Sequence, residues 1–174
     1  MRLFLAIPAD AELREALCGI QDELRRRGVR GNYSHPENLH LTLAFIGEYP
    51  DPDAVLEALA PLRFEPFRLE LCRLGAFEGT WWAGLAESES LTALAAQLRR
   101  LLASAGISYD RKRFKPHITL IRQPSCTRDP ELGTVPVPRA AARVERVSLM
   151  LSTRGKHGVI YSELGALAAR KEEP

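Results

Sequence analysis

Two short strings in this chain carry residue types that can do chemistry together. Leu39-His40-Leu41-Thr42-Leu43 and Pro116-His117-Ile118-Thr119-Leu120 both read His, apolar, Thr, apolar, and they lie 77 residues apart. The chain holds only 4 His and 7 Thr. Two of four histidines meeting a threonine two positions later by accident has a probability of about 1%. One His-x-Thr is a weak signal; the pair is a strong one. On a strand, residues i and i+2 share a face and lie about 6.5–7 Å apart. His40 therefore projects with Thr42, and His117 with Thr119. Two such strands converging would set two imidazoles and two hydroxyls around one point, and a phosphodiester fits between them. Threonine hydroxyls donate to its non-bridging oxygens and stabilise developing charge. One imidazole takes a proton from the nucleophile and the other gives one to the leaving oxygen. An ordinary pKa of about 6.5 suits histidine to both roles. The arrangement needs no metal and no cofactor.

The elements that must position these residues follow from periodicity. Arg2–Ile7 reads as a buried first strand. Asp10 caps a helix whose Leu13, Leu17, Ile20 and Leu24 recur at helical spacing, with Gly28 as its stop. Asn38–Ile46 alternates Leu39, Leu41, Leu43 and Phe45 with His40, Thr42 and Ala44, the period of a strand. Asp51 and Pro52 open a short helix ending near Pro61. Phe67–Leu74 and Trp81–Ala86 read as strands joined around Gly75 and Gly79, with Trp81 and Trp82 on opposite faces. Ser90 is the expected cap of a helix with Leu91, Leu94, Leu98, Leu101 and Leu102 as its stripe and Gly106 as its end. His117–Arg122 is another strand, and 123–140 reads as a long surface loop. Val144–Ser152 and Val159–Leu164 form a closing hairpin around Arg154-Gly155-Lys156-His157, and the polar tail after Ala168 frays. The order β α β α β β α β β β, rich in hairpins, favours the α+β class over a doubly wound sheet. Because each His-x-Thr ends a segment that begins with a strand and a helix, the repeat divides one domain, 1–174, into two similar lobes.

Composition bounds the rest. A chain of 174 residues suits one domain. Its 45% hydrophobic and 26% charged residues exclude a disordered chain or a collagen-like fibre. No run approaches the roughly 20 apolar residues of a membrane span, and the apolar start meets Asp10 and Glu12 too soon for a signal peptide. The net charge of +2 gives no mandate for binding duplex nucleic acid and leaves room for a local anion site. Cys18, Cys72 and Cys126 are dispersed and form no CxxC pair, which suits a reducing cytoplasm. A cytoplasmic monomer is expected.

The segments Pro36-Glu37-Asn38-Leu39-His40-Leu41-Thr42-Leu43-Ala44-Phe45-Ile46-Gly47 and Phe114-Lys115-Pro116-His117-Ile118-Thr119-Leu120-Ile121-Arg122 resemble the two signature motifs of the 2H phosphoesterase superfamily. Arg2-Leu3-Phe4-Leu5-Ala6-Ile7 and Trp82-Ala83-Gly84-Leu85 resemble its RNA 2′,3′-cyclic phosphodiesterase branch, long labelled 2′-5′ RNA ligase. The resemblance runs from residue 2 to about 165. It implies a bilobal α+β fold of pseudo-two-fold symmetry, two antiparallel sheets around a central cleft with helices outside. It also implies hydrolysis of RNA 2′,3′-cyclic phosphate ends to 2′-phosphate ends without metal. RNA 3′ ends or nucleotide cyclic phosphates would be the substrates, with weak reverse ligation possible. Carried over, His40 is the proton donor to the departing 3′-oxygen and His117 the proton acceptor from water. Thr42 and Thr119 hold the phosphate. The two motifs are chemically alike, so the residues themselves do not say which His is acid.

Other residues have two readings each. Arg122 matches an arginine that often follows the second motif and pairs with phosphate, or it is a plain strand-end residue. Many relatives carry Arg-Trp where this chain has Asn32-Tyr33; Tyr33 stacks on a base or packs in the core. The basic loop Arg111-Lys112-Arg113-Phe114-Lys115 draws in an anionic RNA end or is simply solvated. His35 reads as a turn residue, and His157 as a hairpin residue that, with Lys156, can rim the cleft. Two rival functions use the same site. A noncatalytic binder of RNA ends or nucleotides would hold a cyclic phosphate without opening the ring. A zinc hydrolase would need a third well-spaced ligand that the chain does not offer.

Overall fold

The computed structural model describes residues 1–170. The elements are β1 (Arg2–Pro8), α1 (Ala11–Arg26), β2 (Arg30–Tyr33), β3 (His40–Glu48), α2 (Pro52–Ala58), β4 (Phe67–Phe77), β5 (Thr80–Leu85), α3 (Glu89–Ser104), β6 (His117–Ser125), β7 (Ala141–Val144), β8 (Arg146–Gly155) and β9 (Gly158–Ala168). The strands are antiparallel, in the spatial order β7-β4-β5-β6-β3-β1-β8-β9, with β2 beside β6. The fold is thus α+β, a curled nine-stranded sheet whose two halves, β7-β4-β5-β6 with β2 and β3-β1-β8-β9, meet where β6 touches β3. That seam is narrow: a single pair, Leu41 opposite Ile118, joins the halves. Beyond it β3 leaves β6, and β2 takes over the same edge, Asn32 opposite Arg122 and Tyr33 opposite Ile121.

The helices form where caps and stripes agree. The Asp10 side chain accepts from the Leu13 amide at 2.9 Å and that of Asp51 from the Ala54 amide at 3.1 Å. Leu13, Leu17, Ile20 and Leu24 of α1 are buried, as their spacing requires. α1 packs on β6 and β7, in the opposite half from β1, which precedes it, and α3 crosses likewise to β3. This exchange of helices ties the halves together.

Several expectations are corrected. The cap of α3 is Ser88, whose hydroxyl accepts from the Leu91 amide at 3.1 Å; Ser90 lies within the helix. Gly75 is inside β4, and the turn to β5 is Glu78-Gly79. There Gly79 (φ 72°) takes the left-handed conformation that glycine enters freely. β6 extends to Ser125 into the expected loop, and the loop holds a one-turn helix at Leu132–Thr134. β2 and β7 lacked a readable pattern because both are only four residues long. Of the expected fraying tail, Arg170 bridges to Phe64, and 171–174 lie outside the described residues.

The two motif strands share one irregularity that decides where side chains point. In β3, Thr42 faces Ala6 and Ala44 faces Leu5, so Leu43 is an extra residue. In β6, Thr119 faces Trp82 and Ile121 faces Trp81, so Leu120 is the extra residue. A bulge shifts the inside–outside alternation by one. Leu43 and Ala44 are both buried, as are Leu120 and Ile121. Phe45, expected among the core leucines, turns instead to the cleft side, and Arg122 does the same. The bulge in β6 is clamped. The Leu120 carbonyl accepts from Gln21 Nε2 and from the Ser34 amide, both at 2.9 Å. Ser34 Oγ donates to the Thr119 carbonyl, also at 2.9 Å. Gln21 is only 2% exposed. Gln21→Leu would leave buried carbonyls short of a donor and is expected to cost about 1–3 kcal/mol. At this chain length each kcal/mol lowers Tm by about 2–4 °C. A melting curve superimposable on wild type would show that the clamp contributes nothing.

Candidate active site

The seam between the halves is where the paired motifs meet. Leu41 and Ile118 are opposite one another and each is 1% exposed. Their neighbours must therefore point to the other side of the sheet. In this antiparallel register His40 stands across from Thr119, and Thr42 across from His117. The four expected residues thus form a rectangle with a histidine at each of two opposite corners. The strand pairing generates the local two-fold relation.

Both histidines are held the same way. Nδ1–H of His40 donates to the carbonyl of Asn38, and Nδ1–H of His117 to that of Lys115, each at 2.6 Å. A carbonyl oxygen can only accept, so Nδ1 carries a hydrogen and Nε2 is the atom left for proton transfer. The carbonyl lies two residues upstream in each motif, so the brace is local and built into the chain geometry. His40 Nε2 is 3.0 Å from Thr42 Oγ1. The Thr119 hydroxyl makes no hydrogen bond among the described residues.

Aromatic rings frame each imidazole. His40 lies 5.0 Å from Phe4 and 5.1 Å from Tyr161, the latter edge-on at 89°. His117 lies 5.0 Å from Phe77, edge-on at 81°, and 6.1 Å from Trp82. Phe4 and Tyr161 come from β1 and β9; Phe77 and Trp82 come from β4 and β5. Trp82 lies flat on Gly75, where an added Cβ would fall 2.3 Å from the indole. Trp81, on the opposite face, packs against the core as expected. Phe4, Phe77 and Tyr161 carried no motif that singled them out. The only available signal was position, since an aromatic at a cleft-facing strand site beside a motif strand must border it.

The environments of the two histidines differ. His40 is held below the ordinary histidine pKa, chiefly because burial disfavours the charged ring. The Asn38 carbonyl opposes this, while the positive charges of Arg122 and His117 add to the lowering. Arg122 borders two grooves with His40 and makes no ion pair among the described residues. Tyr33 borders the first of these grooves. The guanidinium of Arg25 lies 4.1 Å from its ring centroid, and its hydroxyl donates to the Val29 carbonyl at 2.7 Å. The basic loop holds its place through Arg99, which lies near the rings of Tyr109 and Phe114 and donates to the Lys112 carbonyl at 2.8 Å. Arg113 and Lys115 of that loop line a groove with His117. Among the described residues no three His, Cys, Asp or Glu side chains group as metal ligands. No helix there is long and apolar enough to cross a membrane.

A curled antiparallel sheet with a His-x-Thr strand on each side of its seam has the architecture of the 2H phosphoesterases. The chain belongs to the 2′-5′ RNA ligase superfamily, whose model matches residues 12–156. It is 34% identical over 163 residues to a protein of Aeropyrum pernix named RNA 2′,3′-cyclic phosphodiesterase, covering 85% of this chain and 92% of that one. A crystal structure from Thermus thermophilus matches with a TM-score of 0.81 and 34% identity, over 99% of this chain and 100% of that one. The Escherichia coli LigT structure complexed with 3′-AMP matches with a TM-score of 0.79 and 28% identity, over 98% of both chains.

Proposed function

We propose that this protein hydrolyses RNA 2′,3′-cyclic phosphate ends to 2′-phosphate ends by two-histidine acid–base chemistry, with no metal in the step. The observation that carries the reading is the matched brace: each His donates Nδ1–H to a carbonyl two residues back, which leaves Nε2 for proton transfer. The names of the curated relatives support the substrate, and the neighbour crystallised with 3′-AMP supports a nucleotide in the cleft. In the step, His117 Nε2 takes a proton from water as the water oxygen bonds to phosphorus. The bond from phosphorus to O3′ breaks, and His40 Nε2 delivers its proton to that oxygen. The phosphate stays on O2′. The hydroxyls of Thr42 and Thr119 and the Arg122 guanidinium hold the non-bridging oxygens, where charge grows. His117 ends protonated and His40 neutral, and exchange with solvent resets both. Tyr33, at the edge of the same cleft, offers the ring face not covered by Arg25 for base stacking. A cytoplasmic, monomeric enzyme completes the proposal.

The deciding experiment incubates the pure protein with EDTA and an RNA ending in a 2′,3′-cyclic phosphate, then maps the product phosphate. A 2′-phosphate is expected. Tight binding without ring opening would favour a binder, and activity lost to chelator and restored by zinc would favour a metal hydrolase.

The pH profile tests the assignment of the acid. The active form has His40 protonated and His117 neutral, so kcat/KM should be bell-shaped in pH, and the lowering of the His40 pKa reduces the share of enzyme in that form. Arg122→Gln removes a positive neighbour and so raises the His40 pKa. One limb of the bell should move to higher pH while KM increases. A bell whose limbs both stay put, or move down, would reject His40 as the acid.

A further inference from the structure

Four grooves border the paired histidines, and they differ in charge. Those beside His117 include Glu87 and Glu89 in one case and Glu78 and Asp110 in the other. The groove of His40, Thr42 and Arg2 includes Glu48. The fourth has no carboxylate in its wall. It is a cavity of about 520 Å³ beside His40, bordered by Arg122, His35, Asn38 and His157. Three of the chain's four histidines therefore face one cavity. Its far wall is the β8–β9 turn, which is tied across the opening by a 2.9 Å hydrogen bond from Asn38 Nδ2 to the Val159 carbonyl. His35 sits against that turn, its Nε2 4.0 Å from where a Cβ on Gly158 would lie. Among the described residues the His35, His157 and Arg122 side chains have no hydrogen-bond or ion-pair partner. An imidazole offers an N–H donor whether neutral or charged, and a guanidinium offers five.

The direction of the reaction says which part of a substrate reaches this wall. Attack in line with the bond to O3′ puts water on the His117 side and O3′ on the His40 side. The ribose carbon bearing O3′ is bonded to the one that leads to the 5′-oxygen. The chain upstream of the cyclic phosphate therefore departs on the His40 side, into the cavity without carboxylates.

We propose that this cavity is a subsite for the phosphodiester one nucleotide upstream of the cyclic phosphate, gripped by His35 and His157 with Arg122 between the two phosphates. The enzyme then prefers oligonucleotide ends to cyclic mononucleotides. The inference rests on the hydrolysis reading and adds the class of substrate to it. Tyr33, Tyr161 and Val159 leave room for a flanking base at the rim, while Arg122, His35 and His157 supply the donors that a phosphodiester takes.

The test compares two dinucleotides that end in a 2′,3′-cyclic phosphate and differ only in the linkage between the nucleotides. One has a normal phosphodiester and the other an uncharged methylphosphonate. For the native protein, kcat/KM should be about tenfold or more higher with the charged linkage, the effect of one charge-assisted hydrogen bond. In His35→Ala/His157→Ala that ratio should collapse toward one. Both side chains are exposed, and either single variant serves if the double variant does not fold. Equal rates for the two linkages in the native protein would overturn the subsite. A variant that keeps the full ratio would overturn the role of the histidines. Titration calorimetry with the two matching 2′-phosphate products reads the same ratio without turnover. A protein that opened neither ring would refute hydrolysis, and the calorimetric ratio would still decide the subsite.

Discussion

His40→Ala and His117→Ala should each lower turnover of an RNA 2′,3′-cyclic phosphate by about 10²–10⁴-fold, the contribution of one positioned acid or base. Neither should unfold the protein. Both side chains lie on the cleft side of the sheet, while Leu41 and Ile118 carry the packing beneath them. A loss of about 1 kcal/mol, or about 2–4 °C in Tm, is the expected limit. The two variants can be told apart by leaving group. A substrate with sulfur in place of O3′ expels a weaker base that needs little protonation. It should recover much of the rate with His40→Ala and none with His117→Ala, and the reverse pattern would exchange the two roles. Stability offers a second check on His40. Its folded pKa is lowered, so the unfolded chain binds more protons between the folded value and about 6.5. Stability from this group is complete above that window and declines as pH falls through it. His40→Ala removes that decline, so its deficit against wild type should shrink in acid. Full turnover in both variants would end the two-histidine reading.

Much of this arrangement was visible before the fold. Strand parity alone put His40 with Thr42 and His117 with Thr119, because the period of two does not depend on tertiary context. The caps Asp10 and Asp51 and the stripes of the long helices were readable for the same reason: the signal is local. What stayed hidden was non-local. Simple alternation sends Arg122 to the core face with Ile118 and Leu120. It reaches the cleft only because Leu120 is an extra residue, and that bulge is held by Gln21 from α1 and by Ser34 from the segment that follows β2. Phe45 left its expected core position through the matching bulge at Leu43. The aromatic frames were hidden likewise, since Tyr161 meets His40 and Phe77 meets His117 from strands far away in the chain. The exchange of α1 and α3 between halves has no local signature either. Each is amphipathic, and a stripe does not say which surface it will cover.

The threonines are the second large effect, and the geometry makes them unequal partners. Thr42 Oγ1 lies 3.0 Å from His40 Nε2, whereas the Thr119 hydroxyl is uncommitted among the described residues. With His40 neutral, Thr42 donates to it; once Nε2 is protonated that nitrogen can only donate, and the Thr42 hydrogen is released toward the phosphate. Thr42 thus delivers its hydrogen bond only when the acid is loaded. Thr119 is ready in either state. Thr→Val keeps the branched shape and removes the hydroxyl, so strand packing survives and stability should stay within about 0.5 kcal/mol. Each Val variant should lose about 10²-fold in kcat, as for one donor to a developing oxyanion. Thr→Ser, which keeps the hydroxyl, should recover most of that loss. The proton that loads His40 also frees Thr42, so both Val variants should keep a one-proton slope in the fall of kcat with rising pH. A second proton in the limb of either variant would show that a group other than His40 controls the hydroxyls. Unchanged kcat in both would remove them from the reaction.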